Sequence, residues 1–451
     1  MAELKLGLLP LYLQLYRNIA PVYDPIVAKF ADTIANALKA AGADIVQAPV
    51  CARADEVAPA VASFEAANVD AIVTLHLAYS PSLESIDALA ATKLPVLMLD
   101  TTPDFAYPID HSTLMANHGI HGVQDLANRL RRAGKPYKVF VGHWENSNVI
   151  QKLMESAVAA KCANAFMHSR VGRIGGDFKG MGDFVISDAA MARLGIETVK
   201  MDMNAYNVDE ARLKPVLDEI AAVKNMETKN VDSLVRASAV ASLMVRDFIE
   251  KERLTAFTCS FLDAGDSGVP TIPFVEACLA MSRGIGYAGE GDALDAAWVG
   301  AILKVIKDTT FTEMFCPDWK TGRVYLSHMG EVNAALLQNP ALRMQKGKYL
   351  SDPKPLAFTG SLKPGQAVIV NLAPGPDDVP ELITVRGEVM PFPENDNLRI
   401  SAWFRPVTPF CDFLRKYSEC GGTHHSALCY DVKDSFWDDL ACYLGIKHHI
   451  I

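Results

Sequence analysis

Hydrophobic and polar residues follow two different periods along the first third of the chain. Short apolar runs at residues 6–9, 71–77 and 95–100 have the length and composition of strands that are buried on both faces. Between them, segments such as residues 24–41 carry apolar side chains at intervals of three and four, which is typical of amphipathic helices. Because strands and helices alternate, we expect residues 1–165 to form an open, mostly parallel α/β sheet domain.

The alternation continues over residues 166–308, which predicts a second α/β domain of the same kind. From residue 309 the pattern changes, and short β-type runs at residues 367–372, 382–390 and 399–407 are separated by turns that contain proline and glycine. We expect residues 309–451 to form a β-rich domain with a terminal helix. The predicted fold is therefore α/β, with two open, mostly parallel α/β sheet domains followed by a β-rich, barrel-like C-terminal domain.

Two glutamates and a histidine between residues 289 and 328 stand out as candidates for chemistry. Glu290 lies in a Gly-Glu-Gly turn, ahead of a predicted helix over residues 293–306. An extended return of the chain over residues 307–313 has the length needed to bring Glu313 back beside Glu290. A turn and a short strand then present His328 to the same place. The pattern thus predicts that the three side chains meet.

A fourth group lies near the end of the chain, in the run Gly-Gly-Thr-His-His at residues 421–425. Adjacent histidines after a flexible turn are hard to hide in a core. Carboxylate and imidazole ligands suit Mn, Fe, Co, Ni or Zn more than Ca. One divalent metal bound by these groups is therefore our interpretation, and its competitor is that a glutamate between glycines is only a loop residue. Two carboxylates at one metal also have the chemistry of an acid–base pair.

Composition narrows the classes of function. The 451 residues are 50% hydrophobic and 21% charged, enough for two or three domains with cores of their own. A net charge of −10 without a basic run argues against a nucleic-acid partner. The apolar stretch at residues 6–16 is too short to span a bilayer, so no membrane association is expected. Nine cysteines without a CxxC pair are typical of a reduced, intracellular protein, and we expect a cytoplasmic location.

Four segments in the second half of the chain resemble the L-arabinose isomerase branch of the arabinose/fucose isomerase superfamily. They are residues 287–292 (YAGEGD), 310–313 (TFTE), 326–332 (LSHMGEV) and 421–425 (GGTHH). The resemblance implies that Mn²⁺, or alternatively Co²⁺, is held by Glu290, Glu313, His328 and His425, with His424 as the alternative to His425. It also implies that Glu290 and Glu313 move protons between C1 and C2 of an open-chain sugar.

Further expectations concern the substrate and the assembly. The resemblance implies a homo-oligomer, a trimer or a hexamer, and it places His121 near a substrate, either in its own subunit or in a neighbouring one. The identity of the sugar is expected to depend on Tyr12, His121, Phe261 and Met329. Residues 8–16 read LLPLYLQLY where the family has a Gly-Ser-Gln-His-Leu-Tyr type of segment, and this departure leaves the sugar open.

The sequence thus predicts an enzyme, a metal-dependent aldose–ketose isomerase and hence an intramolecular oxidoreductase, that acts on a small sugar. Two alternatives stay open at this point. One is a non-catalytic sugar-binding protein on the same scaffold, which would be free to lose a ligand, whereas the four-ligand set looks complete. The other is a different metal-assisted sugar enzyme of the epimerase or aldolase type, which would use the same ligands. The matching segments contain no lysine that suggests a Schiff base.

Overall fold

The apolar runs near the N-terminus form parallel strands, and the amphipathic segments between them form helices. The computed structural model describes residues 3–106, 113–223, 225–226, 232–347, 350, 353–392 and 399–451. The first strands are β1 (Leu4–Leu11), β2 (Ala43–Gln47), β3 (Ala71–His76), β4 (Val96–Asp100) and β5 (Tyr137–Val141). The first helices are α1 (Gln14–Ile19), α2 (Asp24–Ala40), α3 (Ala54–Ala66), α4 (Ile86–Ala91), α5 (Ile120–Arg132) and α6 (Val149–Met167).

These five strands make one parallel sheet in the order β2-β1-β3-β4-β5. Every residue of β3 and of β4 is buried, which explains why both strands are continuous apolar runs. In α2 the residues at helical spacing, Phe30, Ile34 and Leu38 among them, are the buried ones. Removing such side chains from water stabilises the sheet–helix layers by roughly 1.5–3 kcal/mol for each fully buried one.

The chain divides into two compact units, and the C-terminal helix belongs to the first. That unit comprises the residues up to Asn164 together with Lys433–Ile446, which contain α13 (Asp434–Leu444). The helix is fastened by a hydrogen bond of 2.7 Å between the hydroxyls of Ser156 and Tyr443. An ion pair between Lys138 and Asp439 adds a second link within the same unit.

The second unit contains a smaller parallel sheet with the strand order β10-β9-β6-β7. Its strands are β6 (Arg170–Ile174), β7 (Glu197–Lys200), β9 (Ala256–Cys259) and β10 (Gly286–Gly289), and a short β8 (Asn225–Met226) pairs elsewhere. The helices are α7 (Asp188–Arg193), α8 (Glu210–Ala221), α9 (Asp232–Glu252), α10 (Phe274–Ser282), α11 (Ala293–Leu303) and α12 (Phe410–Glu419).

Helix α11 is enclosed on all sides, since all eleven of its residues are buried. The cause is its sequence, which is apolar around the whole circumference, because such a helix has no face suited to water. Trp298 is fully buried near its middle, and its ring meets that of Phe166 edge-on with 5.6 Å between the centroids. The helix therefore gives the loop at its N-terminus, which contains Glu290, a rigid support.

The β-rich part of the second unit is one ten-stranded sheet in the order β19-β16-β15-β18-β11-β12-β17-β14-β13-β8. Its remaining strands are β11 (Thr309–Asp318), β12 (Arg323–Ser327), β13 (Leu337–Met344), β14 (Leu356–Leu362), β15 (Gly365–Pro374), β16 (Pro380–Met390), β17 (Ile400–Pro406), β18 (His425–Tyr430) and β19 (His448–Ile450). Because β16 also pairs with β17, the six strands from β16 to β17 close into a ring. This closure is the barrel-like feature that the sequence predicts.

The structure confirms the predicted fold class of two parallel-strand α/β sheets and a β-rich C-terminal part. The predicted strand over residues 323–327 coincides with β12, whereas the helix predicted to reach residue 306 ends at Leu303. The three-domain division at residues 165 and 308 stays a prediction. Within the described ranges, none of the helices combines the length and the apolar character that crossing a membrane requires.

Candidate metal centre

Three neighbouring strands bring two of the predicted histidines beside Glu313. Glu313 on β11 pairs with Ser327 on β12 and, on its other side, with His425 on β18. His328 follows Ser327 directly, and His425 is the first residue of β18. Residues that lie opposite each other in an antiparallel pair point to the same face. The register of the sheet therefore sets Glu313 beside His425, and His328 approaches Glu313 from the position directly after β12.

Glu290 reaches the same place from the loop between β10 and α11. Its backbone has φ 62°, a left-handed conformation that a non-glycine residue adopts only at a cost, and Gly291 after it has φ 89°. Two backbone hydrogen bonds hold this turn: Glu290 N–H donates to the carbonyl of Cys259 (2.9 Å), and Phe178 N–H donates to the carbonyl of Glu290 (3.1 Å). The side chain is thus directed by a fixed loop and not by a flexible one.

Glu290, His328 and His425 form a buried group whose potential ligand atoms all lie within 4.8 Å of one another. Nε2 of His425 is 3.6 Å from Oε2 of Glu290, and Nε2 of His328 is 3.9 Å from Oε2 of Glu313. These separations are too long for hydrogen bonds. They match ligand atoms that share one ion, which lie about 3–4 Å apart when each is about 2.0–2.2 Å from the metal.

An orphaned nitrogen supports the fit of a metal to this group. Among the described residues, Nε2 of His425 is buried and has no hydrogen-bond partner. A buried polar atom without a partner is costly, and a metal ion would use its lone pair. Two imidazoles with carboxylates are a donor set for a divalent transition metal. The residues therefore fit the ion that the sequence predicts.

The outer nitrogens of both histidines are fixed by carboxylates. Nδ1–H of His425 donates to Asp292 (3.0 Å), and Nδ1–H of His328 donates to Glu331 (2.6 Å). Glu331 also accepts a hydrogen bond from the Tyr287 hydroxyl (3.0 Å). Such partners set the tautomer and the ring orientation of a ligating histidine. In both rings the lone pair of Nε2 is then directed away from Nδ1, toward Glu290 and Glu313.

Aromatic rings and a glycine leave the imidazoles little freedom. Phe184 stacks on His425 at 4.9 Å with an interplanar angle of 19°, and Phe311 meets both His425 (5.0 Å) and His328 (4.9 Å) edge-on. A Cβ atom added to Gly289 would lie 2.7 Å from Cε1 of His328. Only glycine at position 289 therefore leaves room for His328 where it stands.

The two glutamates experience different environments. Burial opposes the ionisation of Glu290, but the neighbouring imidazoles of His424 and His425 outweigh it and lower its pKa to about 2. Burial raises the pKa of Glu313 above its usual value, against the opposing effect of His328. The pair thus combines a carboxylate that is held ionised with one that is protonated more readily.

His424 also lies beside Glu290, but its ring contacts a carboxylate outside the three-residue group. Its Nδ1 lies 2.6 Å from Asp183, and its backbone N–H donates to the same carboxylate at 3.0 Å. Its Nε2 is 3.7 Å from Glu290, and the side chain is 28% exposed, against 0% for His425. Burial acts to lower the pKa of His424, yet Asp183 and Glu290 raise it to about 9. The geometry therefore favours His425 over His424, whereas the full ligand set with Glu313 stays a prediction.

The four predicted substrate contacts lie in two different units. Tyr12 follows β1 in the first unit, is buried, and has a hydroxyl without a partner among the described residues. His121 is exposed on α5 of the same unit. Phe261 follows β9 in the second unit, where its ring lies 5.4 Å from that of Phe178, the residue hydrogen-bonded to the Glu290 backbone. Met329 is partly exposed directly after His328. Their contacts with a sugar stay predictions.

Sequence reasoning missed several residues that shape the centre. Glu331 had a local signal, because it stands three positions after His328, and so did Asp292, which stands two positions after Glu290. Asp183 gave no signal, because it lies 241 positions from His424 in the chain. Contacts of that kind follow from the fold and not from spacing.

Three family models match the chain in succession. They describe the N-terminal domain of L-arabinose isomerase (residues 24–168), its central domain (residues 190–309) and its C-terminal domain (residues 308–447). Together they account for most of the sequence and occur in the order of one complete enzyme.

Curated relatives agree with the family models. An L-arabinose isomerase of Acidothermus cellulolyticus is 27% identical over 93% of this chain and 89% of its own length. One from Oceanobacillus iheyensis is 24% identical over 93% of this chain and 94% of its own length. L-arabinose isomerase 2 of Bacillus licheniformis is 26% identical over 80% of each chain.

Among solved structures, a periplasmic solute-binding protein from Actinobacillus succinogenes with bound D-allose covers 67% of this chain and 92% of its own at 13% identity, but its TM-score of 0.19 supports no comparison. The family models and the curated relatives agree along nearly the whole length of the chain. The chain belongs to the L-arabinose isomerase family, and it is accordingly a sugar isomerase, an intramolecular oxidoreductase.

Proposed function

We propose that this enzyme is a metal-dependent aldose–ketose isomerase in which Glu290 and Glu313 move protons between C1 and C2 of an open-chain sugar. One observation carries the proposal: both glutamates face an imidazole of the buried cluster, Glu290 at 3.6 Å from His425 and Glu313 at 3.9 Å from His328. Two carboxylates beside one cluster can serve as the acid and the base for proton transfer at two adjacent carbons.

The metal would be held by Glu290, Glu313, His328 and His425. Mn²⁺ is the proposed ion, and Co²⁺ suits the same ligands. When bound, a divalent cation supplies a positive charge that polarises the oxygens on C1 and C2 of the sugar. Asp292 and Glu331 keep the two imidazoles in the orientation described above, so the ligand atoms are prepared before the ion arrives.

The proton transfers balance without any outside reactant. One glutamate takes the hydrogen of C2 as a proton, and the electron pair it leaves forms the C1–C2 double bond of an enediol. The proton is then returned to C1, while the O2 hydroxyl loses its proton as O1 gains one, and the aldose has become a ketose. The second glutamate takes the proton from the O2 hydroxyl and supplies the proton that O1 gains.

The substrate is a small aldose in its open-chain form. L-Arabinose is the first sugar to test, because the curated relatives are named for it. Sugar contacts are proposed for Phe261 and Met329 in the second unit and for Tyr12 and His121 in the first. The proposal includes a cytoplasmic homo-oligomer, a trimer or a hexamer.

The decisive experiment follows hydrogen exchange. The protein is stripped with a chelator, restored with Mn²⁺, Co²⁺, Mg²⁺ or nothing, and incubated in D₂O with a panel of pentoses, hexoses and deoxy sugars. NMR then follows the protons on C1 and C2. We expect exchange and a matching ketose with one sugar, dependent on Mn²⁺ or Co²⁺.

Two outcomes would overturn parts of the proposal. Ketose formation at full rate after the metal has been removed would exclude metal dependence. Stoichiometric metal without exchange in any sugar would exclude proton transfer between C1 and C2 for the panel and favour epimerisation or aldol-type cleavage, which the same NMR spectra detect as other products.

A further inference from the structure

A second constellation of reactive side chains lies in the same unit, apart from the metal centre. Sγ of Cys420 is 3.4 Å from Nδ1 of His449, and Nε2 of the same ring is 2.5 Å from Oε2 of Glu381. Cys420 is the residue at the C-terminal end of α12, Glu381 lies on β16, and His449 lies on β19, which pairs with β16. A thiol, an imidazole and a carboxylate thus stand in a row.

Glu381 determines the tautomer of His449, and therefore whether the nitrogen beside the thiol can act as a base. Hydrogen bonding to His449 lowers the pKa of Glu381 below its usual value, and Lys447, 3.6 Å away, acts in the same direction. An ionised carboxylate only accepts hydrogen bonds, so Nε2 must carry the hydrogen. Nδ1 is then left with its lone pair directed at Cys420. Nδ1 of His449 is therefore oriented to accept the proton of the Cys420 thiol.

The arrangement differs from a metal site. A metal would need its ligand atoms on one side of the imidazole, whereas here the thiol and the carboxylate contact opposite ring nitrogens. A nucleophile, a base and a group that orients the base are the parts of an activated cysteine.

Acyl transfer is disfavoured by the backbone that follows the thiol. Such chemistry needs free N–H groups to bind an oxyanion. Gly421 N–H donates to the carbonyl of Ser418 (3.0 Å), and Gly422 N–H donates to the carbonyl of Tyr417 (2.9 Å). Thr423 N–H donates to the side chain of Asn371 (3.2 Å). Because these three N–H groups already have acceptors, the activated thiol suits a reaction that does not require an oxyanion to be stabilised.

Solvent reaches the row, since the side chains of His449 and Glu381 are 17% and 23% exposed and Cys420 is partly buried. We propose that Cys420 is a reactive cysteine, activated by His449 and Glu381, whose thiolate is oxidised by hydroperoxides. The sulfur attacks one peroxide oxygen, the O–O bond breaks, and Cys420 becomes a sulfenic acid. The departing hydroxide or alkoxide takes the proton held by His449. Sulfur is oxidised by two electrons, and the peroxide is reduced by two.

The first test compares two thiols of one helix in one sample. The native protein is treated with iodoacetamide at pH 6, and labelling is followed by peptide mass spectrometry. Cys411, exposed at the start of α12, is the internal reference, and trypsin separates the two after Arg415 and Lys416. We expect Cys420 to react about tenfold faster, because Nδ1 of His449 lies 3.4 Å from its sulfur and can take the thiol proton during the reaction. Labelling no faster than at Cys411 would overturn the proposal.

Variants distinguish activation from mere accessibility. In His449→Gln the rate at Cys420 should fall to that of Cys411 or below, and in Glu381→Gln it should fall less. His448→Gln is the matched control, because the neighbouring ring hydrogen-bonds Thr384 and not the thiol. An unchanged rate in His449→Gln would show that exposure alone governs the reaction.

The second test addresses the oxidant. One equivalent of hydrogen peroxide is added in the presence of dimedone, which captures sulfenic acids. We expect the adduct on Cys420 well before Cys411, and its loss in His449→Gln. Fast alkylation without a dimedone adduct would retain the activated thiol but overturn its oxidation by peroxides. Neither test uses sugar turnover, so both are independent of the proposed isomerase mechanism.

Discussion

Asp292 connects the start of a helix to a metal-site histidine through the two oxygens of one carboxylate. Oδ1 accepts the backbone N–H of Asp295 (2.9 Å) and caps α11, while Oδ2 accepts Nδ1–H of His425 (3.0 Å). Helix α11 is buried along its entire length, so the carboxylate itself has a rigid base. The orientation of His425 is therefore set by the core of the protein.

Asp292→Asn is expected to weaken metal binding. The amide oxygen can still cap α11, but its other atom is now a donor that faces the donor Nδ1–H of His425. Loss of such an outer partner typically costs about 10- to 100-fold in metal affinity. Chelator competition with Mn²⁺ measures the change. Asp209→Asn is the control, because Asp209 caps α8 in the same way without contacting a histidine. Equal affinities in both variants would contradict the role assigned to Asp292.

Glu290→Gln and Glu313→Gln are each expected to abolish turnover while the fold stays intact. A glutamine cannot take up or deliver the proton, and general acid–base groups contribute about 10²- to 10⁴-fold to rates. Initial rates of ketose formation and thermal melts test both statements. Glu388→Gln on the surface of β16 should change neither. Near-normal turnover in either variant would remove that glutamate from the mechanism.

Gly289→Ala is expected to displace His328 and to weaken metal binding. The new methyl group would lie 2.7 Å from Cε1 of His328, closer than carbon atoms approach each other, so the ring has to move away from its place beside Glu313. Gly182→Ala is the matched control, because a Cβ there has no heavy atom within 4 Å. Metal titration of the two variants should separate them clearly. If both bind Mn²⁺ as the parent protein does, the close approach at Gly289 has no bearing on the site.

His76 is expected to make the first unit sensitive to acid. Burial in β3 lowers the pKa of this imidazole to about 3, whereas an unfolded chain has an ordinary histidine near 6.5. Between these values the unfolded state binds the extra proton, so the free energy of unfolding falls as the pH falls from 6.5 toward 3. The slope from this group is about 1.4 kcal/mol per pH unit.

Denaturant titrations between pH 7 and pH 5 measure that slope. His76→Gln should flatten it whatever its effect on stability at pH 7, because glutamine does not titrate. His143→Gln, at a partly buried histidine of the same unit, serves as the comparison. An unchanged slope in His76→Gln would show that another group governs the acid response.

The fold could be predicted from the sequence wherever the hydrophobic residues of a segment follow the period of a helix or of a strand. The mostly apolar runs of β3 and β4 and the spacing in α2 predict their elements directly. The predicted end of α11 was wrong, because the apolar pattern continues past Leu303, whereas the helix ends there. Closure of the ring pairs the consecutive strands β16 and β17, but other neighbours in the ring, such as β11 and β18, come from distant segments, and no local pattern encodes their pairing.

The candidate site could be predicted only in part, because some of its contacts join segments that are distant in the chain. Glu290, Glu313 and His328 lie close enough in sequence for chain geometry to bring them together; the structure groups Glu290 with His328, and Glu313 lies 3.9 Å from His328. The preference for His425 over His424 depends on Asp183 and Asp292, two carboxylates that reach the histidine pair from distant segments. Spacing alone leaves the two histidines equivalent.

The position of β18 in the closed ring has a consequence for biosynthesis. This strand, which begins with His425, lies between β11 and β15 in the sheet, yet it is made after both of them. A nascent chain that already contains Glu290, Glu313 and His328 still lacks both the fourth side chain and the strand that holds Glu313 in register. With the ligand set proposed above, tight capture of the ion therefore has to await the insertion of β18 between β11 and β15.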